Sequence, residues 1–155
     1  MGNLIWHDYS RLVSITASVY AVWAGFWGLF FRKFFWDFIG GTLRDPGGLQ
    51  PSPKAAPFVF VIVKIPVIQM LAIALGLVMI AVELPLPLLK PTAVYRSIAI
   101  RIVMLVFQTV LCILFYQGTN AALWSFIAAV CYIRSLMLRE TIEEPKENRR
   151  MAGGA

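Results

Sequence analysis

The chain has 155 residues, of which 59% are apolar and 14% charged, and its mean hydropathy is +0.74. An average soluble domain is about 45–50% apolar and about 25% charged, and so short a chain has too high a surface-to-volume ratio to hide the excess. That excludes an ordinary soluble globule, a disordered chain and a disulfide-rich secreted module, and leaves a polytopic membrane protein. The net charge of +6 comes from 14 basic and 8 acidic side chains. The Lys and Arg residues stand at the ends of apolar runs rather than in a basic stripe interleaved with aromatics, so nucleic acid is not an expected partner.

Met1–Ser10 mixes Trp6 and Tyr9 with His7 and Asp8, as suits an interfacial segment. His7 and Asp8 are adjacent, do not face each other on a helix, and have no nucleophile beside them, so no catalytic residue is assigned there. Leu12–Phe31 is the first apolar run long enough to cross a hydrocarbon core about 30 Å thick. Within it, Ser14, Ser18, Ala21, Gly25 and Gly28 recur at spacings of three and four, a groove where another helix can approach closely. Tyr20, Trp23 and Trp27 follow the same period on a neighbouring face. They read as packing and lipid contact or, more sharply, as an aromatic pocket for a lipid or sterol.

Beyond the first run, Phe34, Phe35, Trp36, Phe38 and Ile39 alternate irregularly with Asp37, which predicts a helical extension lying in the membrane interface. Gly40-Gly41 ends it, and a polar loop runs to Lys54, with a strong turn signal at Asp45-Pro46-Gly47-Gly48. Phe34, Phe35, Trp36, Phe38, Arg44, Asp45 and Pro46 are the candidate residues for binding a partner or a lipid headgroup. The alternative is a plain connector.

The second span runs from Pro57 to about Val82. Pro66 cannot donate to the carbonyl of Ile62, so a kink or local break is expected there. The third runs from about Val94 to Tyr116, with Arg101 and Gln108 on one face, and Glu83 stands at a level suited to pairing with Arg101. Lys64, Gln69, Glu83, Arg101 and Gln108 are the candidate intramembrane polar residues. Three readings compete for them: structural pairing and snorkelling, an ion or substrate path, and an intersubunit contact. Gln117-Gly118 leaves room only for a tight hairpin into the fourth span, Thr119–Leu138, whose small residues Ala121, Ser125 and Ala129 suit close packing. The last helix is expected to continue to about Glu144 with an Arg139/Glu143 pair, and Pro145 to stop it.

The expected architecture is therefore all-α: a four-transmembrane-helix bundle over residues 1–144, followed by a disordered cytoplasmic tail, 145–155. The positive-inside rule orients it. Arg11, Lys90, Arg96, Arg101, Arg134, Arg139, Lys146, Arg149 and Arg150 fall on the side of the termini, against Arg32, Lys33, Arg44, Lys54 and Lys64 opposite, which makes both termini cytoplasmic. Cys112 and Cys131 differ in depth by about 12 Å, too far for a disulfide. With one histidine and two unclustered cysteines, no metal and no cofactor is expected.

A resemblance covers nearly the whole chain. Leu4-Ile5-Trp6-His7-Asp8-Tyr9, Tyr20-Ala21-Val22-Trp23-Ala24-Gly25-Phe26-Trp27-Gly28, Phe34-Phe35-Trp36-Asp37-Phe38-Ile39-Gly40-Gly41, Asp45-Pro46-Gly47-Gly48 and Pro51-Ser52-Pro53-Lys54 resemble a family of small fungal integral membrane proteins. Tyr95-Arg96 and Phe115-Tyr116-Gln117-Gly118-Thr119-Asn120 are similar to it too. That family is a domain of unknown function with four expected spans. The resemblance implies membrane residence and a fungal source and carries over no catalytic residue. In architecture alone the chain is also similar to tetraspan trafficking proteins of the MARVEL type.

The expected function is non-catalytic: an accessory or organising subunit of a larger membrane complex, in the endomembrane system or plasma membrane. Its expected partners are membrane lipids and other membrane subunits, or a second copy of itself. The alternative is a small oligomeric transporter or channel with Lys64, Gln69, Arg101 and Gln108 along its path. A lipid-modifying enzyme ranks last, because its acidic, His and Cys residues would have to cluster at one membrane depth.

Overall fold

The computed structural model describes residues 5–33, 52–84, 86, 89, 92–140 and 142. Among the described residues every regular element is a helix or helical turn, with no strand. In chain order the elements are α1 (Trp6–Phe31), a 3-10 turn (Pro53–Ala55), α2 (Ala56–Val59), a π-helical turn (Phe60–Lys64), α3 (Val67–Glu83), α4 (Ala93–Arg96), α5 (Ile98–Ile113), a second 3-10 turn (Tyr116–Gly118) and α6 (Thr119–Met137). The four long helices run up and down in sequence, and α1 packs against both α3 and α6 while α5 packs against α6 and α3.

Small residues set how closely these helices approach. The stripe read from the sequence is buried: Ser14, Ser18, Ala21, Gly25 and Gly28 all face inward. A Cβ on Gly25 would lie 2.6 Å from Ile73, and one on Gly76 would lie 3.1 Å from the Ser18 carbonyl, so α1 and α3 meet almost backbone to backbone. Ala121, Ser125 and Ala129 are buried on α6. Two apolar clusters result. One gathers Ala21, Ile62, Ala72, Cys112 and Phe115, and the other Val13, Met79, Leu105, Ala129 and Tyr132.

Among the described residues two helices, Trp6–Phe31 and Tyr116–Met137, are long and apolar enough to cross a membrane. The second expected span is one path but not one helix: Pro53–Lys64 and Val67–Glu83 meet at 62° across Ile65 and Pro66, and counted together they make a third. Its helical structure begins at Pro53 rather than at Pro57. Pro66 is the cause of the break, since it has no N–H for the Ile62 carbonyl.

Two expected boundaries differ in the structure. The third span is interrupted at Ser97, whose extended backbone separates α4 from α5 and whose side chain accepts a hydrogen bond from the Ile100 N–H, capping α5. This leaves α5 with 16 residues. The last helix ends at Met137, not near Glu144. Arg139 takes a left-handed backbone (φ 57°), the Glu140 N–H donates to the Ser135 carbonyl at 3.1 Å and the Arg139 N–H to the Leu136 carbonyl at 3.0 Å. That is a Schellman closure with arginine where glycine is usual. The interfacial extension at Phe34–Ile39, the loop to Pro51, Glu143 and the tail 145–155 lie outside the described residues.

Candidate functional site

The interior is more polar than the exterior. Ser10, Ser14, Ser18, Gln69, Glu83, Arg101, Gln108, Ser125 and Ser135 are buried, while Leu12, Trp23, Phe30, Phe107, Leu123 and Phe126 are exposed. In water the pattern is the reverse. The larger of the buried polar groups, Gln69, Glu83, Arg101 and Gln108, fall at three levels along the bundle.

At the level where α3 ends and α5 begins, Glu83 and Arg101 form the pair expected from the sequence, with Arg101 Nη1 2.6 Å from Glu83 Oε2. Tyr132, which no motif or spacing in the sequence marks out, completes the cluster. Its hydroxyl donates to the Glu83 carboxylate at 2.8 Å and accepts from Arg101 Nη1 at 3.0 Å. Arg101 Nη2 donates to the Tyr95 carbonyl at 2.8 Å, and the guanidinium lies 5.4 Å from the Tyr95 ring and 5.8 Å from that of Tyr132. The Arg11 Nε–H donates to the Glu83 carbonyl at 2.8 Å. Two cations thus sit at the C-terminus of α3, where the last carbonyls lack helical donors and the helix dipole favours positive charge. They offset the otherwise unfavourable placing of a glutamate there.

At mid-bundle, Gln108 Nε2 donates to Ser125 Oγ at 2.9 Å and reaches Ser18 Oγ at 3.5 Å. On each of the three helices concerned, this polar level lies between the residues of the two apolar clusters.

At the far end, Gln69 Nε2 donates to the Ile62 carbonyl at 2.9 Å. Lys64 stands apart from the other candidates: its side chain is exposed, and its carbonyl accepts from Arg32 Nη1 at 3.3 Å. The five intramembrane candidates therefore do not line one continuous site. Across the three levels, Ser14 Oγ, Arg101 Nε, Gln108 Oε1 and Gln69 Oε1 are buried with no hydrogen-bond partner among the described residues.

At the end of the bundle that holds the start of α1, Glu140 reaches back across the fold. Its carboxylate accepts from the backbone N–H groups of Trp6 at 3.1 Å and His7 at 2.7 Å, and from the Ser135 hydroxyl at 3.0 Å. Burial pushes the Glu140 carboxyl up, but the hydrogen bonds from the His7 and Trp6 backbone, the Ser135 hydroxyl and the His7 ring outweigh it and hold the group below its ordinary range. The His7 ring touches Glu140 at 3.1 Å through Nδ1 and Asp8 at 3.5 Å through Nε2. The adjacent His7 and Asp8 do meet, contrary to the helical-wheel expectation, because both side chains lie in the first turn, where no preceding turn constrains them. Ser135 donates to Glu140 and not to the imidazole, so the arrangement is a helix cap and not a nucleophile–base pair. Among the described residues no group of three His, Cys, Asp or Glu stands where it could hold a metal.

A groove of about 460 Å³ opens between α1 and the turn into α6. Tyr20, Trp23, Trp27 and Phe31 line one wall, and Lys33, Tyr116, Gln117 and Asn120 close the other and the mouth. Trp23 and Trp27 meet edge to face at 5.6 Å, and Trp27 stacks on Phe31 at 5.9 Å. The aromatic face of the first span is therefore one side of a pocket. The candidate partner residues Phe34, Phe35, Trp36, Phe38, Arg44, Asp45 and Pro46 lie outside the described residues.

No curated protein and no solved structure matches the chain. A family model does match, over residues 1–140, and so takes in both the buried polar levels and the aromatic groove. The chain belongs to the family described as a domain of unknown function (DUF7727).

Proposed function

We propose that the protein is a four-span integral membrane protein with both termini cytoplasmic, and that it works by binding, as an accessory or organising subunit of a larger membrane complex. The observation that carries this reading is the inversion of polarity: an apolar, aromatic-rich outer surface around buried pairs such as Glu83 and Arg101. An outer face of that kind needs lipid or protein around it. Although α5 is short by itself, α4, α5 and the following 3-10 turn together extend from Ala93 to Gly118, which supports a fourth crossing. The strongest polar groups of the interior are spent on one another: the Glu83 carboxylate is held by Arg101 and Tyr132. The fungal source implied by the sequence resemblance accompanies this reading.

Cysteines placed singly at Ser52 and Ala152, in a background with Cys112 and Cys131 replaced by alanine, test the topology. Impermeant maleimide should label the first site from outside the cytoplasm and the second only after permeabilisation. Purification in mild detergent should recover a stoichiometric partner protein. Labelling of the tail from outside ends the orientation, and recovery of the chain free of any partner ends the accessory role.

A second reading, a small oligomeric transporter or channel, is favoured by one observation. The unpaired atoms of Ser14, Arg101, Gln108 and Gln69 are distributed along the bundle interior, where water or an ion would satisfy them. Substrate or proton flux into proteoliposomes, lost in Gln108→Leu without loss of folding, would establish it.

A further inference from the structure

We propose that the groove between α1 and the turn into α6 is a binding site for one anionic glycerophospholipid, a proposal that rests on the membrane-embedded reading above. Trp23, Trp27 and Phe31 follow one another at one-turn spacing and form a continuous aromatic wall along a groove of about 460 Å³, suited to an acyl chain. Lys33 stands at the mouth. It is tied down there twice: its carbonyl accepts from the Tyr116 N–H at 3.1 Å, and its ammonium lies 5.5 Å from the centre of the Tyr116 ring. Gln117 and Asn120 line the same groove. Among the described residues the lining carries this one cation and no carboxylate. A phosphodiester with net negative charge matches that lysine, and a zwitterionic headgroup matches it less well, because its own cation offsets the attraction. The aromatic ladder places the chain and Lys33 places the phosphate, as an amphipathic ligand at a membrane interface requires.

The test uses the intrinsic tryptophans of the full chain reconstituted in vesicles. One variant (Trp6, Trp36 and Trp124→Phe) keeps Trp23 and Trp27, and a second (Trp6, Trp23, Trp27 and Trp36→Phe) keeps Trp124 on the outer face of α6. Phosphatidylglycerol or phosphatidylcholine with brominated chains is titrated into unbrominated phosphatidylcholine. Fluorescence from Trp23 and Trp27 should be half quenched at an about fivefold lower mole fraction of the anionic lipid, the preference expected for a single lysine. Trp124 should be quenched equally by both, and Lys33→Gln, an exposed change that leaves the fold intact, should remove the preference. Equal quenching of Trp23 and Trp27 by the two lipids overturns the site, as does a preference that survives Lys33→Gln or that Trp124 shares. Trp124 quenched while Trp23 and Trp27 stay unquenched by both lipids means that the chain itself fills the groove, which also overturns it. If Trp124 is quenched by neither lipid, the membrane-embedded reading has failed and takes the site with it.

Discussion

The side-chain amide of Gln69 donates to the carbonyl of Ile62 at 2.9 Å, the same carbonyl that Pro66 deprives of its helical donor. A break that would leave a buried backbone oxygen unpaired is repaired from the next turn of the following helix. The repair has a geometric consequence: it lets the path turn by 62° between Lys64 and Val67 without an orphaned carbonyl.

Gln69→Leu should therefore destabilise the protein by about 1–3 kcal/mol, the cost of leaving a buried acceptor unsatisfied. In a Pro66→Ala background the restored N–H can serve Ile62 directly, and the same Gln69→Leu change should cost less. Thermal unfolding of the four proteins in one detergent gives the coupling. Equal penalties in both backgrounds would mean that Gln69 acts through packing against Gly28 alone.

The contact of Glu140 with the first turn of α1 joins residues 134 positions apart. Glu140→Ala should cost about 0.5–2 kcal/mol, the usual range for a lost N-terminal cap, and should speed hydrogen exchange in the first turn of α1. The pH dependence has a definite sign. Because the folded-state pKa of Glu140 lies below its ordinary value, the cap contributes fully above the pKa of a free glutamate, about 4.3. Its contribution is lost as the pH falls through the folded-state value. Glu140→Gln should flatten stability over that acidic window; an unchanged acid limb would assign it to other carboxylates.

Arg139 holds a left-handed backbone at φ 57° in the closure of α6. A side chain other than glycine costs about 1 kcal/mol there. Arg139→Gly is expected to raise stability by up to that amount and to preserve the Glu140 cap, whereas Arg139→Val should lower it. Circular-dichroism melts of the two variants would separate the backbone effect from the loss of charge, which both share.

Features governed by local spacing could be read from the sequence. The buried stripe Ser14, Ser18, Ala21, Gly25 and Gly28 follows helical periodicity, the break at Pro66 follows from a missing N–H, and the Glu83–Arg101 pairing follows from depth along antiparallel helices. Features made by chain closure could not. Tyr132 looks in sequence like any lipid-facing aromatic, and only the packing of α6 beside α3 and α5 turns its hydroxyl to Glu83. Nothing near Glu140 signals the α1 terminus, and an arginine at a Schellman position carries none of the warning a glycine would. Ser97 did carry a usable signal, a capping residue directly before an apolar run, but the run of apolar residues on both sides of it read as one span. The aromatic face of α1 was legible as a pattern, while its opposite wall comes from Tyr116 and Gln117, far along the chain.

The Glu83–Arg101–Tyr132 cluster gives the sharpest separation between the binding and transport readings. Breaking a buried ion pair by removing one partner leaves an uncompensated charge and costs about 3–5 kcal/mol, whereas replacing both partners with apolar residues is often close to neutral. Arg101 also serves the Tyr95 carbonyl, so its loss carries a further hydrogen bond with it. Glu83→Leu and Arg101→Leu should each lower the unfolding temperature in detergent strongly, and the double variant should recover a large part of the loss. Tyr132→Phe removes one hydroxyl from the cluster and should fall between the wild type and the single charge variants. If the cluster is architectural, partner recovery should track stability across all four proteins. A double variant that is as stable as the wild type yet abolishes flux in proteoliposomes would place the pair on a transport path instead.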